Sequence, residues 1–342
     1  MLCREAEDRA HDETRADAAL MHARIRAREQ FSRGKWVDAI NEREKWRTVD
    51  FYVGGTMMEV AKEPGYEMYE DAERGVRGRV EGFSRRSRQR MMEAGAKLLS
   101  KVLPVMLTVT YGREWPSEPE VWKQHLNSLW KRIERKFKGV SGMWKLEPQK
   151  RGAPHFHLLV WGESRIDWQW LAVAWAEIIH GVELPGDYPV APFAVGAKWF
   201  RQWAEALDVG AEVKLSLAAG VRAEAVRSKR GVKAYLSKKY MGKEVELPGD
   251  WKNPGRMWGI KGRACLPRAE RVRWEISKGA AFKLRRLIRR SLNRRAMGGR
   301  NLGRVVLYAD ATLDWARAVA WAQGFTDFPP RGAGVPLEAT PF

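Results

Sequence analysis

Two cysteines in 342 residues, Cys3 and Cys265, stand far apart and match neither a zinc-type spacing nor a disulfide framework. That scarcity suits a reducing cytoplasm and argues against a small secreted scaffold. No apolar run reaches the roughly 18 residues of a membrane span, and the N-terminus is charged rather than signal-like, so no membrane partner is expected. A Gly-x-x-x-x-Gly-Lys-Ser/Thr phosphate loop is missing too, which argues against a chain that unwinds its own template. Acid is in short supply: 42 Asp and Glu face 62 Lys and Arg, giving a net charge of +20. Such a field attracts polyanions and speeds their association, although many basic proteins merely carry a solvated basic face.

What is there divides the chain into three parts. Residues 1–100 are highly charged, with no Gly or Pro before Gly34, and read as a mostly helical N-terminal region. Regular alternation of apolar patterns fills residues 101–262. A strand is expected over 106–111, a helix over about 118–138, strands over 143–147 and from His155 to Trp161, and a helix over 168–180. Residues 181–192 hold three prolines and two glycines and read as a loop, 198–227 carry no clear pattern, and 229–243 read as a helix. This order describes an α+β fold, an antiparallel β-sheet flanked by helices, with helical additions at both ends. Most of the 17 tryptophans belong to the core, since Trp122, Trp130, Trp168 and Trp175 sit in amphipathic helical patterns; others can stack on unpaired bases.

Residues 263–342 form a basic C-terminal region. Over 278–304 there are 10 Lys or Arg and no acid, with Phe282, Leu284, Leu287, Ile288 and Leu292 spaced for one apolar helical face. The pattern is a basic amphipathic helix whose Arg285, Arg286, Arg289, Arg290, Arg294 and Arg295 suit DNA contact. The tail after Phe328, with four prolines, reads as loose.

The chemistry concentrates in Glu147-Pro148-Gln149-Lys150-Arg151-Gly152-Ala153-Pro154-His155-Phe156-His157. Residues i and i+2 of a strand share a face, so His155 and His157 point two imidazoles at one spot. The polar, Gly-containing stretch between can turn the chain back and bring Glu147 alongside, provided the turn has the right parity or a bulge corrects it. Two imidazoles and a carboxylate would leave metal positions open for substrate oxygen; the competing reading is a hydrogen-bonded surface pair. A second constellation, Tyr235-Leu236-Ser237-Lys238-Lys239-Tyr240-Met241-Gly242-Lys243, follows downstream. A tyrosine with an unperturbed pKa of about 10 is a poor nucleophile near neutral pH and needs a polarised target and a nearby cation. Lys243 lies one helical turn from Tyr240.

These residues resemble the HUH endonucleases, the rolling-circle replication initiators of small plasmids and single-stranded DNA phages. The matching positions are Glu147-Pro148, Gly152-x-Pro154-His155-Phe156-His157, Lys239-Tyr240-x-x-Lys243 and Gly255-Arg256-Met257-Trp258-Gly259, with the strand over 106–111 and Phe83-Ser84-Arg85-Arg86-Ser87-Arg88 upstream. The resemblance covers residues 83–260 and implies a metal-dependent, site-specific nickase. Glu147, His155 and His157 would hold a divalent cation, Mn²⁺ or Mg²⁺. Tyr240 would attack the scissile phosphate, leaving a 5′-phosphotyrosyl link and a free 3′-hydroxyl. Single-stranded and origin duplex DNA would be its substrates, and a host helicase, polymerase and single-strand-binding protein its partners, in the cytoplasm of a prokaryotic host. One departure stands out: phage initiators carry two tyrosines four residues apart, and here they are five apart. On a regular helix four residues separate side chains by about 40° but five by about 140°. Tyr240 is therefore the principal nucleophile, and Tyr235 is a packing residue or a second nucleophile with Lys238 beside it. Relaxases and single-strand transposases use the same constellation, and a non-catalytic basic DNA-binding regulator is the more distant alternative.

Overall fold

The computed structural model describes residues 47–62, 80, 82–190, 193–227, 246–277, 279–284, 304–308 and 319. In chain order its elements are β1 (Arg47–Val53), β2 (Met57–Lys62), α1 (Arg85–Ala96), β3 (Val105–Thr110), α2 (Pro119–Lys136), β4 (Ser141–Pro148), β5 (Pro154–Trp161), α3 (Trp168–His180), α4 (Phe193–Ala206), α5 (Ala211–Ala219), β6 (Val221–Ala225), β7 (Trp258–Lys261), β8 (Glu270–Ile276) and β9 (Arg304–Tyr308). They belong to two compact units. The first draws on Arg77–Met92 and Val102–Pro267, the second on Asp8–Val76, Glu93–Lys101 and Arg268–Phe342.

The first unit is built on a five-stranded antiparallel sheet of order β6-β3-β5-β4-β7. Its central strands are apolar on both faces: Leu107, Val109, Met143, Leu146, Phe156, Leu158 and Leu159 are all buried. One face is covered by α2, whose buried stripe Trp122, Leu126, Leu129, Trp130 and Ile133 follows the helical repeat. Pro119 opens that helix, where its missing N–H costs nothing, and Arg135 and Lys136 close it, where cations favour the negative end of the dipole. The Trp130 ring lies so close over Gly142 that a Cβ there would stand 2.9 Å from it, so the strand needs glycine at this point. The helix α3 packs beside α2, tied by the Arg132–Glu177 ion pair, and stops at Gly181 in the left-handed conformation.

The α+β class with antiparallel sheets is as the sequence implies, and the expected strands and helices between 106 and 180 form with bounds shifted by a residue or two at most ends. The patternless stretch 198–227 becomes α4, α5 and β6. Its signal is weak for a physical reason: β6, Val-Arg-Ala-Glu-Ala, is an edge strand with only one covered side and no apolar alternation.

The second unit holds a four-stranded antiparallel sheet of order β8-β1-β2-β9. Here two expectations are corrected. Residues 47–62, within the stretch read as mostly helical, form a hairpin, because Thr48-Val49-Asp50-Phe51-Tyr52-Val53 is β-branched and aromatic and Gly54 supplies a turn at φ 78°. Asp50, buried in β1, is opposite Arg273 of β8, and the two make a bidentate pair at 2.8 and 2.9 Å. The basic helix expected over 278–304 is helical over 279–284, after the Ser277 hydroxyl caps the Ala280 N–H, but Arg304 opens β9 opposite Ala61. On that helical piece Ala280, Ala281 and Leu284 are buried, whereas Phe282 is exposed and so lies off the covered face. Arg285, Arg286, Arg289, Arg290, Arg294 and Arg295 lie outside the described residues, as do Tyr235, Lys239, Tyr240 and Lys243. No helix among the described residues is long and apolar enough to cross a membrane.

Candidate metal centre

The hairpin of β4 and β5 sets the site. Its loop closes with Gly152 N–H donating to Gln149 O at 2.9 Å and Gln149 N–H to Ala153 O at 2.9 Å. Gly152 has φ 88°, a conformation that L side chains rarely adopt, so a glycine is required at this turn. The resulting register places Glu147 directly opposite His155, and Lys145 opposite His157. Since His155 and His157 share a face, all four side chains converge on one side of the sheet. On the neighbouring strand β3, Thr108 is opposite His157 and joins them. The loop itself is pinned from outside: the Trp251 indole donates to Gly152 O at 2.9 Å, and Arg151 donates to the carbonyls of Tyr111 and Gly112.

One ligand atom from each of Glu147, His155 and His157 lies within 4.8 Å of the others. The Glu147 carboxylate accepts from His157 Nε2 at 2.8 Å through one oxygen and from Lys145 Nζ at 2.9 Å through the other. The imidazoles are held from behind. Thr108 Oγ1 is 3.1 Å from His157 Nδ1, and Gln149 Nε2 is 3.3 Å from His155 Nδ1. Such outer partners orient ligating histidines and fix their tautomers. A hydroxyl at Thr108 suits either tautomer: it donates to Nδ1 when Nε2 carries the proton toward Glu147, and accepts from Nδ1 when Nε2 gives its lone pair to a metal.

Electrostatics keeps these donors in their ligating forms. Burial alone would raise the Glu147 carboxyl, but the hydrogen bond from His157 and the charge of Lys145 outweigh it and bring its pKa down to about 2. Burial, followed by repulsion from His157, lowers His155 to about 4. Near neutral pH the site therefore offers an ionised carboxylate and a neutral His155 imidazole. Mixed nitrogen and oxygen donors with two held imidazoles fit a divalent transition-type cation, and three protein ligands leave positions for substrate oxygens.

Three segments separated in sequence meet around this centre. Phe83 packs with its ring centroid 4.9 Å from Lys145 Nζ, and Trp258 of β7, paired with Lys145, donates its indole N–H to Ser87 Oγ at 3.0 Å. Thus the Phe83-to-Arg88 stretch and the Trp258-Gly259 segment, both carriers of the family resemblance, come together with the His-x-His strand.

A family model of replication-associated proteins, the ORF2 group, matches residues 104–191, which span β3 to the loop after α3 and include all three candidate ligands. That match supports a replication-initiator role. No curated protein matches the chain, and no solved structure does.

Three residues of the centre escape a motif reading: Lys145, Thr108 and Gln149. Lys145 had a signal. It lies two residues before Glu147 in a strand, on the face that Glu147 shares, and a charged residue between Trp144 and Leu146 needs a partner once buried.

Proposed function

We propose that this chain is a metal-dependent, site-specific DNA nickase of the HUH endonuclease type that initiates rolling-circle replication. The observation that carries the reading is the convergence of Glu147, His155 and His157 within 4.8 Å, inside a segment similar to replication-associated proteins.

When bound, a divalent cation, Mn²⁺ or Mg²⁺, supplies Lewis-acid polarisation of the scissile phosphodiester. The chain's own residues do the rest. The Tyr240 oxygen forms a bond to phosphorus as the bond from phosphorus to the 3′-oxygen breaks; the phenol loses its proton and the 3′-oxygen gains one. The products are a 5′-phosphotyrosyl link and a 3′-hydroxyl that a host polymerase extends. Lys243, with Lys239, steadies the phenolate and the phosphoryl charge. Because the phosphotyrosyl bond is again a phosphodiester, a later attack by a 3′-hydroxyl rejoins the strand and releases tyrosine without ATP. Arg285, Arg286, Arg289, Arg290, Arg294 and Arg295 hold backbone phosphates of the origin duplex, while a host helicase and single-strand-binding protein open and protect the template.

The test is direct. Purified protein is incubated with Mn²⁺ and end-labelled single-stranded DNA, and a protein–DNA adduct that survives denaturation is sought. Label transfer to protein that needs the cation supports the reading, and its absence across origin-bearing DNA contradicts it.

A further inference from the structure

A lysine with no exposed side-chain surface stands beside the metal ligands. Lys145 Nζ is 2.9 Å from Glu147 Oε2, its side chain is fully buried, and it faces the Phe83 ring on one side and its register partner His157 on the other. Such an ammonium cannot swing out to water when a cation arrives. It therefore counts in the charge of the site. Imidazoles ligate as neutral groups, so the carboxylate of Glu147 and the ammonium of Lys145 sum to zero. A dication placed on that pocket is left without a countercharge from the protein's near groups.

We infer that Lys145 makes the pocket a weak metal site by itself and a firm one only when a DNA phosphate is present, so that cation and strand bind cooperatively. The inference rests on the metal-dependent nickase reading. A phosphodiester brings the missing negative charge, and linkage requires that each ligand raise the other's affinity by the same factor, commonly about 5- to 150-fold. The device keeps the metal from being held tightly where there is nothing to cut. It also orients Glu147: with one oxygen held by Lys145, the carboxylate offers its other oxygen to the cation. Lys145 is thus a positioning residue that acts through Glu147 and through its charge.

The experiment measures Mn²⁺ affinity rather than turnover. Free Mn²⁺ is followed by electron paramagnetic resonance in titrations of a Tyr235→Phe/Tyr240→Phe protein, which cannot form the adduct, with and without a single-stranded oligonucleotide. Mn²⁺ bound by the oligonucleotide alone is subtracted. The expected result is binding at least about fivefold tighter with DNA. In Lys145→Met, of similar length but neutral, Mn²⁺ should bind the DNA-free protein about tenfold more tightly or better, since an adjacent positive charge is gone, and the DNA effect should shrink. A merely structural role for Lys145 would instead weaken binding. Equal Mn²⁺ affinity with and without DNA overturns the inference in the Lys145-containing protein, whatever the variant's folding, and so does weaker or unchanged binding by a folded Lys145→Met. Absence of Mn²⁺ binding under both conditions overturns the metal reading itself and this inference with it.

Discussion

Glu147 stands directly opposite His155 in the β4–β5 ladder while its carboxylate reaches diagonally to His157 Nε2 at 2.8 Å. One acid thus bridges both histidines, and the hairpin register is what closes the cluster. A one-residue slip would turn Glu147 to the opposite face of the sheet. The turn at Gly152 is therefore as much a part of the site as the ligands.

This register leads to the first prediction, on the third ligand. Glu147→Gln keeps the size and loses the charge, so metal affinity should drop by about tenfold or more, and added Mn²⁺ should partly restore nicking. Calorimetric titration of both proteins checks it. Unchanged affinity would mean that the carboxylate is not a ligand.

Thr108 supports His157 from the neighbouring strand. Thr108→Val preserves the β-branched shape and the buried packing of β3 but removes the hydroxyl 3.1 Å from His157 Nδ1. Loss of an outer partner of this kind costs about 10- to 100-fold in metal affinity. The variant should melt close to wild type while binding Mn²⁺ more weakly, a split that thermal scans and metal titration together resolve.

Acid should act on the metal-free protein through the same residues. His155 has a folded-state pKa of about 4 against an ordinary 6.5, so the unfolded chain binds more protons between those values. Its contribution to stability is fully present above pH 6.5 and is lost as pH falls toward 4. Glu147, lowered from 4.5 to about 2, adds a second loss below pH 4.5. Melting temperatures recorded from pH 7 to about 4 should decline, and His155→Ala should flatten that decline, since the group that resists protonation is gone. Parallel slopes in the two proteins would count against the depressed histidine.

The basic C-terminal segment is tested without cutting into the second sheet, because β9 lies beyond it. Replacing Arg285, Arg286, Arg289, Arg290, Arg294 and Arg295 with glutamine should weaken binding to origin duplex. Each arginine–phosphate pairing removed should flatten the log–log salt dependence by about 0.9. Cleavage of an oligonucleotide already single-stranded at the site should persist. An unchanged slope would return these arginines to a solvated face.

Much of this architecture was legible because strand and helix periods differ so clearly between 106 and 180: the apolar run of β3, the helical stripe through Trp122 and Trp130, and the His-x-His spacing each admit one reading. The ligand set was legible for the same reason, but its closure was not. Whether Glu147 faces the histidines depends on loop parity, which Gly152 at φ 88° settles in space and no pattern settles in sequence. Lys145 was hidden by its charge, since burial of an ammonium follows only from a partner that the fold supplies. The hairpin of β1 and β2 was obscured by charged sequence on either side, and β9 by the run of arginines before it. In both cases composition over a long window outweighed a short β-branched segment.

The central claim, that a tyrosine is joined to DNA at this metal centre, is tested most directly by mapping the covalent adduct. Wild-type protein, Mn²⁺ and labelled single-stranded DNA carrying the origin are incubated, and the nucleotide-bearing peptide is identified by mass spectrometry, alongside His157→Ala, Tyr240→Phe and Tyr235→Phe. The account predicts nucleotide on Tyr240, no adduct from His157→Ala or Tyr240→Phe, adduct largely retained in Tyr235→Phe, and DNA binding by His157→Ala within a few-fold of wild type because affinity is spread over many phosphate contacts. Adduct formed equally by wild type and His157→Ala would contradict the metal centre, and nucleotide found on Tyr235 alone would contradict the assignment of the nucleophile.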